Sequence, residues 1–146
     1  MDQTNFINIY TDGGSRGNPG PSSLGVFIEN DRGMVLDEIG EYLGITTNNI
    51  AEYSAIVAAL NWVVKNKQQM PGLKKVNFYM DSQLASSQLN GLYKIKNPKL
   101  RELLFEAKKK EAEIALPITY SHVPREQNKK ADALVNRALD NAVNVA

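Results

Sequence analysis

The sequence contains no cysteine, which excludes disulfide bonds, zinc sites built from thiolates and a catalytic thiol. Because it has a single histidine, a metal ion would have to bind mainly through oxygen atoms. No stretch approaches the roughly 18 uninterrupted apolar residues of a membrane helix, and the polar start MDQTNF lacks the basic and apolar parts of a signal peptide. We therefore expect a cytoplasmic protein without a membrane partner.

An excess of charge of one sign is also missing. The net charge of +1 argues against a strongly basic protein that binds nucleic acid through its overall charge, yet it permits a basic face beside an acidic site. The length of 146 residues, with 42% hydrophobic and 23% charged residues, is typical of one globular domain. We expect a monomer with a single domain over residues 1–146, in which about 141–146 form a frayed tail.

Local patterns predict five strands and four helices. β-branched and aromatic residues between turn signals indicate the strands, and apolar residues at helical spacing indicate the helices. The first three strands follow one another as an antiparallel meander, whereas the last two alternate with helices, so the order favours an α/β or α+β domain with a mixed sheet. The strands are expected over residues 6–11, 23–29, 34–43, 75–80 and 116–123, and the helices over 48–65, 82–90, 97–114 and 128–142.

Four acidic residues occupy positions where these elements could bring them together. Asp12 closes the first predicted strand and Asp81 the fourth, so parallel pairing would place both carboxylates at one edge of the sheet. Glu52 lies on the face of its helix that packs on the sheet, and Asp132 lies in the first turn of the last helix. Such a cluster repels itself unless a cation neutralises it, and Mg²⁺ is a hard ion that prefers oxygen ligands.

Each acid also has an ordinary structural interpretation. Asp12 before Gly13 could form a turn, and Asp81 could cap a helix. Glu52 could favour a helix N-terminus, and Asp132 could simply be solvated. Taken one at a time, these interpretations are the more common ones, and only the four acids together favour an active site.

The chain carries four segments of note, in this order: YTDGGSRGNPGPSSLGVFI, TTNNIAEYSAI, MDSQLASSQLNG and HVPREQNKKADAL. Together they resemble the type 1 ribonucleases H, in the compact form of archaeal and many bacterial single-domain members. The first segment resembles that family's first hairpin and the second its first helix with the glutamate. The third resembles the fourth strand with its aspartate, and the fourth the last active-site segment. The resemblance implies a ribonuclease H-like α/β fold: a five-stranded mixed sheet, with three antiparallel strands and then two parallel ones, flanked by helices.

The resemblance also implies a function, an endoribonuclease that hydrolyses the RNA strand of an RNA/DNA hybrid. Asp12, Glu52, Asp81 and Asp132 would be both the catalytic residues and the metal ligands. Two Mg²⁺ or Mn²⁺ ions are implied when substrate is bound, with products that carry 5′-phosphate and 3′-hydroxyl ends. The alternatives are a catalytically weak, hybrid-binding domain of the same fold and a ribonuclease H domain detached from a reverse transcriptase.

Recognition of the hybrid requires groups that sense the RNA 2′-hydroxyl, which both donates and accepts hydrogen bonds. Glycines after Asp12 would let the main chain approach the minor groove, and amide side chains can donate and accept. By resemblance, Asn18, Asn49 and Gln83 contact the RNA strand, while Thr47 together with Asn18 helps to seat a DNA phosphate. Without the acids, the glycine-rich loop would be only a turn. The expected substrate-binding residues are Gly14, Asn18, Thr47, Asn48, Asn49, Gln83 and Arg125.

The chain departs from the family pattern in two ways. The basic, tryptophan-bearing protrusion of longer members is missing, and Trp62 is expected to pack. Many members carry a histidine on a flexible loop before the last aspartate, whereas His122 falls on the fifth strand, where we expect it to be packed. Arg125 could take over the loop residue's role, contact a phosphate or be a plain surface residue. A basic surface along the DNA backbone, or merely a solvated face, would be formed by Lys94, Lys96, Lys99 and Arg101.

Overall fold

The computed structural model describes residues 3–91 and 95–144, which contain a mixed sheet of five strands. The strands are β1 (Phe6–Ser15), β2 (Gly20–Asn30), β3 (Val35–Thr46), β4 (Lys75–Met80) and β5 (Ile118–His122). Their order across the sheet is β3-β2-β1-β4-β5. The pairs β1–β2 and β2–β3 are antiparallel, and the pairs β1–β4 and β4–β5 are parallel. The predicted α/β fold with a five-stranded mixed sheet is confirmed.

The helices are α1 (Asn48–Asn66), α2 (Gln83–Leu89), α3 (Pro98–Ile114) and α4 (Lys129–Asn144). The last helix continues to Asn144, so the frayed tail predicted from about residue 141 is wrong as far as the described residues reach. An established helix adds each further residue at little cost, and the buried Leu139 anchors this end. No helix within the described ranges is both long and apolar enough to cross a membrane.

The first hairpin is longer than its composition predicts. The first two strands are predicted over residues 6–11 and 23–29, but β1 and β2 continue into the segment between them and pair up to Ser15 and Ser22. Only the residues between Ser15 and Gly20 form the turn, which is closed by a hydrogen bond from Arg16 N to Pro21 O of 2.8 Å. Glycines are poor strand formers by propensity, so their presence in β1 reflects packing against helices, described below.

The two faces of the sheet are covered by different helices. The large core lies on one face, where α1 contributes the predicted apolar stripe of Ala55, Ile56, Ala59, Leu60 and Val63, all buried. The other face carries α4, whose Ala131, Leu134, Val135 and Leu139 are buried, while Ala138 is half-buried. The half-buried Trp62 packs on the core as predicted, and its indole N–H donates to Asp37 Oδ2 at 2.9 Å.

Candidate active site

Asp12 and Asp81 leave the sheet side by side. The parallel register of β1 and β4 ends with the pair Thr11 and Met80, and each aspartate is the next residue of its chain segment. The predicted parallel pairing is therefore confirmed, but Asp12 does not close its strand as expected. Beyond Thr11, β1 loses β4 as a neighbour and continues with β2 alone, which opens the sheet edge beside Asp12.

Two glycines bring the helices that carry the other acids close to β1. An ideal Cβ on Gly13 would overlap the backbone of α1 at Ala51 and Glu52, and one on Gly25 would overlap the carbonyl oxygen of Ala131, which precedes Asp132. Gly25 pairs with Asp12 across the hairpin, so these two residues lie on the face that α4 covers, and Gly13 lies on the opposite face. Because neither glycine has a side chain, α1 and α4 can approach the sheet closely enough to bring Glu52 and Asp132 near Asp12.

The four acids line one cavity of about 490 Å³, and each is half-buried. The other lining residues are mostly polar and come from the hairpin turn, the start of α1, the ends of β4 and β5, and α4. Among the predicted substrate-binding residues, those that line it are Gly14, Asn18, Asn48, Asn49 and Arg125. Thr47 and Gln83 do not line it: Thr47 caps α1 by accepting a hydrogen bond from Ile50 N at 3.3 Å, and Gln83 is exposed at the start of α2.

The carboxylates perturb one another strongly. Burial, followed by the charges of Asp81 and Asp132, raises the pKa of Asp12 to about 8. Burial also raises the pKa of Glu52 to about 7; a hydrogen bond with Ser82 acts against this rise, and the charge of Asp81 adds to it. At neutral pH and without a cation, the cluster therefore retains protons that isolated carboxyl groups would have lost.

The donor chemistry of this cluster fits Mg²⁺ or Mn²⁺, because every ligand on offer is an oxygen atom. Among residues 3–91 and 95–144, however, no three acidic or histidine side chains are arranged to hold a metal ion. The carboxylates face protein partners instead: Asp12 Oδ1 accepts a hydrogen bond from Gly13 N at 3.0 Å, and Asp81 Oδ2 lies 3.8 Å from Arg125 Nε. A cation bound here would replace the protons that the cluster holds.

Asn18 and Asn48 join the hairpin turn to α1. Asn18 Oδ1 accepts a hydrogen bond from Asn48 N at 3.1 Å, and Asn48 Oδ1 accepts one from Ser15 N at 2.8 Å. No acceptor in the described part of the chain pairs with the Nδ2 group of either residue, so both retain a donor at the cavity. The glycines of this loop were expected to admit a nucleic acid, whereas Gly13 and Gly20 face protein backbone, the latter at Arg16 and Gly17.

The structure corrects the prediction for His122. It ends β5 as expected, but its side chain is exposed and does not line the cavity. β5 is an edge strand with β4 as its one neighbour in the sheet, and His122 is its last residue, so less of the protein surrounds this histidine than a central strand position. Arg125 lies in a short 3₁₀ turn over Arg125–Gln127 and is 86% exposed beside the cavity, where it faces Asp81.

Besides Ser15, sequence reasoning missed three polar residues of the cavity. Arg16, whose Nη2 lies 2.7 Å from Asp140 Oδ1, places a positive charge on its wall. Ser82 caps α2 through a hydrogen bond from Ala85 N at 3.1 Å and also contacts Glu52. Asn136 donates to the Asp132 carbonyl oxygen at 3.2 Å. Only the cap had a visible signal, because serine before a short helix is a typical N-cap.

A larger groove of about 1100 Å³ lies along α3. It is lined by apolar residues, among them Ile95 and Phe105, and by three basic ones, Lys96, Arg101 and Lys108. Lys96 and Arg101, two of the residues predicted to form a basic surface, therefore line this groove together, while Lys94 lies outside the described residues. Glu102 is the only acid among the lining residues that the structure describes. We therefore take the smaller, acid-lined cavity as the candidate active site.

Comparison with known protein families gives a consistent result. A family model described as "Reverse transcriptase-like" matches residues 10–138. A ribonuclease HI of Halobacterium salinarum is 37% identical over 144 residues, which cover 97% of this chain and 68% of the relative. A bifunctional protein of Mycobacterium tuberculosis is 39% identical over 141 residues, or 96% of this chain. This chain spans only 37% of the length of that mycobacterial relative.

Solved structures extend the similarity to three dimensions. LC11-RNase H1, isolated from compost by a metagenomic approach, superposes with a TM-score of 0.89 at 42% identity, covering 95% of this chain and 99% of the other. A second structure, of LC11-RNase H1 in complex with an RNA/DNA hybrid, gives a TM-score of 0.87 at 41% identity and covers 94% of this chain and 99% of the other.

Proposed function

This chain belongs to the type 1 ribonuclease H family, and from that premise we propose that it is an endoribonuclease that hydrolyses the RNA strand of RNA/DNA hybrids. The observation that carries the proposal is the convergence of Asp12, Glu52, Asp81 and Asp132 in one polar cavity. A homologous structure of similar length, solved in complex with an RNA/DNA hybrid, supports the choice of substrate.

The four carboxylates would hold two Mg²⁺ or Mn²⁺ ions when substrate is bound. Bound ions of this kind supply Lewis acidity toward the scissile phosphate, and products with 5′-phosphate and 3′-hydroxyl ends are part of the proposal. The residues themselves have to release protons first, because the pKa of Asp12 is raised to about 8 and that of Glu52 to about 7. The affinity for divalent ions should therefore increase as the pH rises through this range.

Substrate selection would rest on amide side chains that line the same cavity as the acids. The Nδ2 groups of Asn18 and Asn48, together with Asn49, present amide groups that can recognise a ribose 2′-hydroxyl. Arg16 and Arg125 lie at the cavity, where each can contact a phosphate and offset the negative charge of the acids. Because phosphates are common to RNA and DNA, the arginines would contribute affinity and the amides would contribute selectivity.

A cleavage assay with end-labelled substrates tests the proposal. We expect the protein with Mg²⁺ or Mn²⁺ to cut the RNA strand of an RNA/DNA hybrid, and Asp12→Asn to abolish cutting while the fold persists. An exposed acid, Glu113 on α3, provides the matched control, because Glu113→Gln should leave the rate unchanged. Cleavage by Asp12→Asn in the presence of a chelator would refute the assignment. Hybrid binding without cleavage by the unmodified protein would favour the catalytically weak alternative.

The proposal also includes a monomer, one domain over residues 1–146 and a cytoplasmic location, as predicted from the sequence. Light scattering after size-exclusion chromatography measures the mass in solution, and limited proteolysis reveals whether a stable fragment smaller than the chain exists. Fractionation of cells followed by immunodetection tests the location.

A further inference from the structure

The connection between β5 and α4 contacts the two strand segments that lead into active-site aspartates. Val123 N donates a hydrogen bond to the carbonyl oxygen of Met80 at 2.8 Å. Asn128 Nδ2 donates one to the carbonyl oxygen of Thr11 at 2.9 Å. Met80 directly precedes Asp81, and Thr11 directly precedes Asp12, so one connection anchors the backbone next to both acids.

Asn128 also belongs to the start of the helix that carries the fourth acid. Its backbone carbonyl accepts the hydrogen bond from Asp132 N at 3.1 Å, which is part of the first turn of α4. Asn128 thus contacts β1 next to Asp12 through its side chain and the backbone of Asp132 through its main chain. The side chain is almost completely buried, with 1% of the residue exposed, so solvent does not compete for these contacts.

The other end of the Asn128 amide shows why an asparagine is present. Its Oδ1 atom is buried and has no hydrogen-bond donor among the residues that the structure describes. Leaving an amide oxygen unpaired in the interior costs free energy, and a leucine of similar size would avoid that cost. The residue is therefore poorly explained by packing, whereas the Nδ2 donor to Thr11 gives it a definite role.

We propose that Asn128 is a positioning residue of the active site, which holds β1 beside Asp12 against the start of the helix that bears Asp132. The inference rests on the proposed function, because it assigns Asn128 to the geometry of the same acid cluster. Asn128 does not line the cavity and touches no reacting group; it acts through the backbone on either side. Outer residues that orient metal ligands typically alter metal affinity or activity by about 10-fold to 100-fold when replaced.

Two substitutions separate positioning from stability. Asn128→Ala removes the amide and leaves space, so it should lower both stability and function. Asn128→Leu fills the space of the asparagine side chain, and it removes both the unpaired Oδ1 atom and the Nδ2 donor. The melting temperature of this variant should stay within about 5 °C of that of the unmodified protein. We expect Asn128→Leu nevertheless to bind Mn²⁺ at least about 10-fold more weakly and to reduce kcat for hybrid cleavage by a similar factor.

Asn90 supplies the matched control. Its Nδ2 donates to the carbonyl oxygen of Tyr120 at 3.1 Å, which is the same kind of contact between the end of a helix and a strand, away from the acids. Asn90→Ala should therefore lower the melting temperature without changing Mn²⁺ affinity or kcat. The measurements are calorimetric titration of the metal-free protein with MnCl₂, steady-state cleavage of a labelled hybrid, and thermal unfolding.

The outcomes decide the role of Asn128. Unchanged Mn²⁺ affinity and kcat in a folded Asn128→Leu protein would overturn the proposal, as would a failure of both Asn128 variants to fold, which would make the residue structural. If the unmodified protein binds Mn²⁺ but cuts no hybrid, the proposed function is wrong, and the Mn²⁺ affinities of the variants still decide whether Asn128 positions the acids.

Discussion

Replacing Asp12 by asparagine should stabilise the metal-free protein at neutral pH while it abolishes cleavage. The substitution keeps the size of the side chain and the Oδ1 atom that accepts a hydrogen bond from Gly13 N. It removes a carboxyl group whose charged form is disfavoured first by burial and then by the charges of Asp81 and Asp132. The acid cluster is thus a place where function is maintained at the expense of stability.

The magnitude follows from the raised pKa. In the folded protein Asp12 has a pKa of about 8, whereas an ordinary aspartate has 3.8. At pH 7 the folded state therefore holds a proton that the unfolded state has lost, and each pH unit above the ordinary value destabilises the folded state by about 1.4 kcal/mol. Because the neighbouring acids share part of this penalty, Asp12→Asn should increase the free energy of unfolding at pH 7 by an amount on the order of 2 to 4 kcal/mol.

The dependence on pH has a definite sign. Below about pH 4 both states of the unmodified protein carry the proton, so the substitution should bring little electrostatic gain. The gain should grow as the pH rises from about 4 to about 8 and remain constant above that. Saturating Mg²⁺ should reduce the gain, because a cation that binds only the folded, unmodified protein stabilises it by mass action.

Thermal and urea unfolding in a chelator, at several values between pH 4 and 8, measure the effect. For a chain of this length a gain of 2 to 4 kcal/mol corresponds to a rise in melting temperature of roughly 6 to 12 °C. Glu113→Gln, which changes an exposed acid, should show no such pH-dependent gain. A variant that is less stable than the unmodified protein at pH 8, or a gain that does not shrink toward pH 4, would refute the reasoning.

Three further substitutions test other parts of the site. Gly13→Ala should destabilise the protein by about 3 kcal/mol or more, because its Cβ would overlap the backbone of α1. Gly14→Ala, compared with it by urea unfolding, should destabilise the protein less, because its Cβ would meet only a side chain. Ser82→Ala should remove the cap of α2, at a cost of about 1 kcal/mol, and should raise the pKa of Glu52, which an NMR titration of that carboxyl measures. Arg16→Ala should raise KM more than it lowers kcat and should weaken the salt dependence of hybrid binding; an unchanged salt dependence would exclude a phosphate contact.

The order of the elements and the candidate site residues could be predicted from the sequence. Helical spacing in α1 identified the residues that are buried, and strand patterns identified all five strands. Asp12 and Asp81 were expected to be neighbours if their two strands paired in parallel, and the structure shows that pairing up to Thr11 and Met80. These features are local or periodic, so they can be read without knowing what each residue contacts.

Which further residues complete the site depends on tertiary packing, which local sequence patterns do not reveal. Gly13 and Gly25 looked like turn or strand glycines, and nothing local reveals that α1 and α4 press against them. Asn128 lies in the segment HVPREQNKKADAL, but no local pattern shows that its side chain binds the carbonyl oxygen of Thr11, which is 117 residues away. The exposure of His122 likewise depends on which strand forms the sheet edge. Close approach, burial and long-range hydrogen bonds arise from how layers pack, and packing is a property of pairs of distant segments rather than of any one of them.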